Sequence, residues 1–277
     1  MEAEYPEGAV KVLDHGFVKL VDHMGDDSSI VQAARVSYGK GTKQVNEDRG
    51  LIRYLLRHAH TTPFEMVEFK FHVKMPIFVA RQWVRHRTAS INEVSGRYSE
   101  MKDEFFVPER NTITKQSTTN KQGGGVELVD VYGDSQTTES AMMSEQEQAF
   151  RNYNDYINAG MRKELARINL PLSIYTEFYW KIDLHNLMHF LRLRLDSHAQ
   201  YEIRVFGEAM AQIVKEKCPL AWEAFEDYKL NVITLSAKEQ EVLSIILQNN
   251  GSWSEETFGN KREFEEFKHK LNKLYKV

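Results

Sequence analysis

Residues 81–97, RQWVRHRTASINEVSGR, hold Arg81, Arg85, His86, Arg87 and Arg97 within seventeen positions of a chain whose net charge is −4. Trp83, Val84 and Ile91 are interleaved with them and favour burial, and partly buried cations need anions. The planar guanidinium fork matches phosphate and carboxylate, with which it makes paired charge-assisted hydrogen bonds. Ser90, Asn92, Ser95 and the backbone around Gly96 supply neutral donors and acceptors, and Glu93 supplies one carboxylate. Such a mixture suits a nucleotide, with arginine taking phosphate and small polar groups reading base or sugar. A solvated basic face or a salt-bridge network fits the same residues. A nucleic-acid patch is a third reading, weakened by the acidic balance of the chain.

A second block, 190–203, reads FLRLRLDSHAQYEI. On a helix, Leu184, Leu187, Met188, Leu191, Arg194 and Leu195 form one stripe, so Arg194 sits on an apolar face. An unpaired buried guanidinium is costly; it must meet an anion or a polar ligand, and a core salt bridge to Glu202 or Asp196 is the plain alternative. His58 and His60 read as a helix end, and no further ligands at metal-site spacing join them, so no metal is expected. The single cysteine, Cys218, precedes Pro219 at a helix end with no base nearby and reads as structural. Among 15 glycines there is no phosphate-binding Gly-rich turn, and Gly123-Gly124-Gly125 lacks the spacing and flanks of one.

The elements that position these residues follow from period and breakers. Alternation of Val67, Phe69, Phe71 and Val73 with Glu68, Lys70, His72 and Lys74 predicts a half-buried strand over 66–74. Other strands are expected at 10–22, 98–107 and 174–182. Helices are expected from a cap at Asp27, Ser28 and Ser29 through Ile30–Val36, and at 46–58, 76–86, 145–159, 184–195, 198–217, 236–249 and 260–275. Pro76 suits a first helical turn, and Phe78, Gln82 and Arg85 would then share one face of that helix. Residues 111–144, poorly patterned, read as a surface insertion, and Asn249-Asn250-Gly251 as a break. The expected class is α+β: an antiparallel sheet flanked by long helices, in a domain over 1–227, with a helical extension over 228–277. Apolar residues at 42% and charged residues at 27% suit a globular protein with a sizeable core. No apolar run approaches a membrane span, and residues 1–8 are acidic without an apolar stretch, so the cytoplasm is the expected compartment.

Arg85-His86-Arg87, Ser90, Asn92-Glu93, Ser95 and Arg97 fill every fixed position of the pattern RHRxxSxNExSxR, and the chain thereby resembles the flavin-dependent thymidylate synthases. His58 to Glu65, HAHTTPFE, resembles the family's H-x-x-T-P-F-E element, and the likeness covers most of residues 10–226. It implies reductive methylation of dUMP with FAD, NADPH or NADH, and 5,10-methylene-tetrahydrofolate, in a homotetramer with shared active sites. The residues implied for dUMP are Gln82, Trp83, Val84, Arg85, Glu93, Val94, Ser95, Gly96, Arg97, Arg167 and Arg194. Arg194 is implied as the catalytic group that stabilises charge on the N3–O2 side of uracil. Those implied for FAD are Thr62, Arg85, His86, Arg87, Glu93, Asp183, Leu184, His185 and His189. His60 is implied on the face where folate or nicotinamide stacks.

Overall fold

The computed structural model describes residues 5–36, 45–118, 123–133, 136–248 and 253–275. Part of the expected 111–144 insertion and the expected break at 249–251 lie outside the described residues. The chain divides into two compact units, Met1–Glu226 and Asp227–Val277.

The first unit opens with a hairpin, not one strand over 10–22: β1 (Val10–Val12) and β2 (Gly16–Met24) pair antiparallel. The chain reverses between them through Leu13 at φ 58°. Gly16 closes the turn because a Cβ there would lie 2.6 Å from the Val12 carbonyl oxygen. Asp14-His15-Gly16 interrupts the apolar residues at this reversal, but its left-handed position carries a leucine where glycine or asparagine is usual, so the turn escapes the sequence reading. Helix α1 (Asp27–Ala34) is capped by Asp26, whose carboxylate accepts from the Ser28 and Ser29 amides, one residue before the expected cap. Helix α2 (Val45–Arg57) ends with Ala59 at φ 56°, and the His60 amide donates to the Leu55 carbonyl at 2.9 Å. Pro63 then opens the one-turn α3 (Thr62–Glu65).

Strand β3 (Glu68–Pro76) places Phe69, Phe71, Val73 and Met75 wholly in the core. Pro76 is its last residue and the extended cap of α4 (Ile77–Trp83), so this helix stops short of the expected 86. Arg81 and Arg85 would stand one turn apart on a continued helix, where like charges repel. Instead the chain leaves the helix and forms β4 (Ser90–Glu93), an edge strand within the arginine-rich segment. Its side chains are all exposed, so no inward alternation marks it. The strand expected over 98–107 reduces to one bridge, Phe105 with Ile174.

Strands β5 (Thr114–Gln116) and β6 (Gly124–Leu128) form a separate two-stranded sheet, and α5 (Thr138–Asn158) starts earlier than the expected 145. After the short α6 (Lys163–Ala166) comes β7 (Tyr175–Asp183), with Thr176, Phe178, Trp180 and Ile182 inward. Helices α7 (Leu184–Arg194), α8 (Tyr201–Lys217) and α9 (Pro219–Phe225) complete the unit. The main sheet runs β1-β2-β3-β7-β4, every neighbour antiparallel, which gives the α+β class.

Trp83 is the keystone of the helix-covered face. Its ring lies 4.5 Å from Phe190, 5.0 Å from Trp180 and 5.8 Å from Phe178 by centroids, and it has no exposed surface. Burying such a ring contributes on the order of 4–6 kcal/mol at ordinary area coefficients. It fixes where the cations after it emerge. On the opposite face the strands carry polar pairs: His72 Nε2 lies 2.7 Å from Glu177 Oε1, and the His72 ring stacks on Tyr179.

The second unit contains α10 (Ala237–Leu247), α11 (Glu255–Phe258) and α12 (Lys261–Leu274) around Val242, Phe258, Phe267 and Leu271. A capping box joins Ser236 and Glu239 at the start of α10, and Glu239 accepts from Lys270 at 2.8 Å. No described helix is long and apolar enough to cross a membrane.

Candidate active site

Packing of α7 against α8, and α4 against α8, brings the C-terminal ends of α4 and α7 together. There Arg194 meets the segment after Trp83. Its Nε and Nη2 lie 3.2 and 3.0 Å from His86 Nε2, and Nη2 donates to the Gln82 carbonyl at 3.1 Å. The apolar stripe expected of this helix is present, since Leu184, Leu187, Met188 and Leu191 are buried. The half-buried guanidinium on that stripe takes neither Glu202 nor Asp196, whose Oδ1 lies 2.8 Å from His198. Its charge is held by neutral acceptors. Burial pulls the Arg194 pKa down and the His86 pKa down to about 4, the latter with help from Arg194 and then His189. Gln82 Nε2 donates to Gln200 Oε1 at 2.5 Å, which ties the same corner to the residue before α8.

Arg81, Val84, Arg85 and Arg87 line a hollow of about 350 Å³. Among the described residues, none of these three arginines has a carboxylate within ion-pair distance. Guanidiniums grouped in this way have their charge-assisted hydrogen bonds to offer to an anion. His189 lies beside this segment, its ring 5.9 Å from His86.

The second half of the motif lies on β4 and the turn beyond it. Glu93 accepts from Thr176 Oγ1 at 2.5 Å, and the Val94 amide donates to the Glu177 carbonyl at 2.9 Å. The Ser95 hydroxyl oxygen is 3.4 Å from the Arg97 amide, while Arg97 Nε reaches Glu164 at 3.1 Å. This exposed pair contributes little, about 0–1 kcal/mol, so Arg97 can exchange Glu164 for a better anion. A Cβ on Gly96 would sit 3.0 Å from Arg167 Nη1, so glycine is what lets Arg167 lie against the turn.

The structure thus gathers Gln82, His86 and Arg194 in one corner, and Ser95, Gly96, Arg97 and Arg167 in another. Thr62 opens α3, which packs on α7, and Asp183 caps α7 by accepting from the Asn186 amide at 2.9 Å. His185 is half-buried, and His60 is exposed with its ring edge-on to Tyr54 at 5.8 Å. Trp83 and Leu184 have no exposed surface and belong to the core, not to a ligand-facing wall. Arg85, which was expected to share a helix face with Phe78 and Gln82, stands beyond the helix end. Gln200, Glu164 and Thr176 escaped the sequence reading. Glu164 is three residues from Arg167, and Thr176 has the inward parity of β7; both are signals that a search for partners could use.

Cys218 is wholly buried, and burial first, then Asp27 and Asp26, push its thiol up to about 12. No cluster of three or more His, Cys, Asp or Glu suited to a metal occurs among the described residues.

Comparison with known proteins sets this geometry in context. A family model described as "Thymidylate synthase complementing protein" matches residues 19–220. The flavin-dependent thymidylate synthase of Wolbachia pipientis wMel is 52% identical over 263 residues, covering 95% of this chain and 92% of its own. That of Rickettsia prowazekii is 52% identical over 269 residues, with 93% and 91% covered. Among solved structures, a UMP/dUMP methylase, PolB from Streptomyces cacaoi, bound with 5-Br dUMP, is similar. Its TM-score is 0.71 at 34% identity, covering 80% of this chain and 99% of that one.

Proposed function

Since the chain belongs to the flavin-dependent thymidylate synthase family, we propose that it converts dUMP to dTMP in the cytoplasm. The carbon comes from 5,10-methylene-tetrahydrofolate, and NADPH or NADH supplies the reducing equivalents. Catalysis is assigned to residues 1–227, and 228–277 form a helical extension to them.

The donor set fits FAD. Arg85 and Arg87, without carboxylate partners among the described residues, offer guanidiniums to a diphosphate in a chain that lacks a Gly-rich phosphate turn. Thr62, His86, Glu93, Asp183, His185 and His189 are the further residues assigned to it. When bound and reduced, FAD supplies the hydride that turns the transferred methylene into a methyl group, which is why folate leaves as tetrahydrofolate. His60 is assigned to the face where folate or nicotinamide stacks.

The nucleotide is assigned to Gln82, Val84, Arg85, Glu93, Val94, Ser95, Gly96, Arg97 and Arg167, with arginines on the phosphate and the small groups on sugar and base. Arg194 is the catalytic group. C5 of uracil is a poor nucleophile, and positive charge against N3–O2 stabilises the electron-rich form in which C5 reacts. The observation that carries this reading is a half-buried guanidinium with no carboxylate partner. A thiol with its pKa near 12 and no exposure supports a route without a cysteine nucleophile. Arg85, Arg87, Val94 and Arg97 are exposed in the single chain. Such an open cradle supports a homotetramer whose neighbouring copies close the site.

The test is dTMP formation from dUMP by purified protein, with each of FAD, NADPH and methylene-tetrahydrofolate omitted in turn. Product that depends on all three is expected. A protein that binds no flavin and loses RNA or DNA steeply with salt would overturn the assignment.

A further inference from the structure

We infer that His86 is a positioning residue for Arg194: its neutral ring fixes the guanidinium while leaving the positive charge uncompensated for use on the pyrimidine. This rests on the proposed role of Arg194 and adds a second residue to it.

The geometry requires a lone pair on His86 Nε2. Arg194 offers N–H groups at Nε and Nη2, 3.2 and 3.0 Å away, and guanidinium has no acceptor of its own. An imidazolium would place N–H against N–H and like charge against like charge. The ring is therefore neutral, with its proton on Nδ1. Its surroundings maintain that state. Phe190 stands edge-on at 4.8 Å, the His86 amide donates to the Trp83 carbonyl, and the ring is half-buried. The titratable groups acting on it are Arg194 and His189, both from α7; neither is a carboxylate that would draw a proton onto the ring. Arg85 and Arg87 flank it in sequence and bring no carboxylate to it.

A carboxylate partner would fix the guanidinium but cancel its field beyond the pair. Here two neutral acceptors, the His86 ring and the Gln82 carbonyl, do the fixing. Nη1 has no protein acceptor among the described residues and is left for a ligand. The arrangement gives orientation without neutralisation, which is what stabilising a developing anion demands. His86 thus serves the nucleotide side of the site through Arg194, beside its proposed place near FAD.

The test compares His86→Ala with His86→Gln in the FAD-loaded enzyme. Gln keeps a neutral acceptor near the Nε2 position and Ala removes it. H86A is expected to lower kcat by about 10- to 100-fold, in keeping with loss of alignment at a reacting centre. Its KM for dUMP should change far less, and H86Q should recover most of the kcat loss. A second measurement needs no turnover. In imidazole-¹⁵N-labelled protein, with the His86 signals assigned by their loss in H86Q, Nε2 should be unprotonated and Nδ1 protonated at pH 5.5. An ordinary histidine is mostly charged there. H86A with wild-type kcat, H86Q no better than H86A at equal flavin content, or a His86 ring that titrates above pH 6 would each overturn the inference. Wild-type enzyme forming dTMP while Arg194→Ala does not keeps the parent reading intact whichever way this falls.

Discussion

Arg194 donates from Nε and Nη2 to His86 and the Gln82 carbonyl, so its orientation is set before any ligand arrives. Arg194→Ala should therefore cost turnover, about 10²- to 10³-fold in kcat as for loss of other charge-stabilising donors, with FAD affinity nearly unchanged in a flavin titration. Gly96 is a second residue whose chemistry is steric. An added methyl would stand 2.7 Å from Met101 Sδ and 3.0 and 3.1 Å from Arg167 Nη1 and Cδ, so these two flexible side chains must shift. Gly96→Ala should leave the melting temperature unchanged but displace Arg167, raising KM for dUMP about tenfold, or about 1.4 kcal/mol. One part of the pH dependence of folding follows from His86. Its pKa, held at about 4 by burial and by Arg194 and His189, lies below that of free imidazole, so the neutral ring is the form the fold prefers. That stability is complete above about pH 6.5, the free value, and is lost as pH falls toward 4. In urea melts across this window, H86Q should lose less stability on acidification than the wild type; an identical acid limb would count against the assignment.

At the scale of elements, the informative features are those where local preference was overruled. Helix α2 ends on Ala59 in the left-handed region, closed by the His60 amide on the Leu55 carbonyl. An L-residue pays about 1 kcal/mol there that glycine does not. Ala59→Gly should thus stabilise the protein by up to about 1 kcal/mol, read as a melting temperature a few degrees higher. The left-handed turn also sets the path into α3, and an accompanying fall in activity would mark His60 as depending on it. The strand over 66–74 was legible because Phe69, Phe71 and Val73 alternate with polar residues. Strand β4 was not, because it sits at a sheet edge with every side chain exposed and depends on β7 for its hydrogen bonds. Helix α4 shows the same limit. It was expected to reach residue 86, but repulsion between Arg81 and Arg85 and the pairing of Ser90–Glu93 with the β7 edge end it at Trp83.

At the scale of the molecule, residues 227–277 carry a small core of their own, with Phe267 wholly buried among Val242, Phe258 and Leu271. So few buried side chains leave little margin. Phe267→Ala should cost about 3–5 kcal/mol, seen as faster hydrogen exchange across α10 and α12 while flavin binding by the rest of the chain is retained. Fold class and the principal strands and long helices could be derived from the order of residues, and so could the arginine-rich segment as a candidate for binding an anion. Each rests on short-range signals: period two or 3.6, capping residues, and an excess of cations in an acidic chain. Which groups would meet could not be so derived. His86 and Arg194 are 108 positions apart, and Gln82 and Gln200 are 118 apart. Sequence required Arg194 to find a polar partner, because a guanidinium on an apolar helix face cannot remain unpaired, but both a carboxylate and a neutral ring satisfy that requirement. Only the packing of Trp83 against Phe190 and Trp180, which sets the end of α4 beside the end of α7, selected the uncharged partner and kept the positive field at the site.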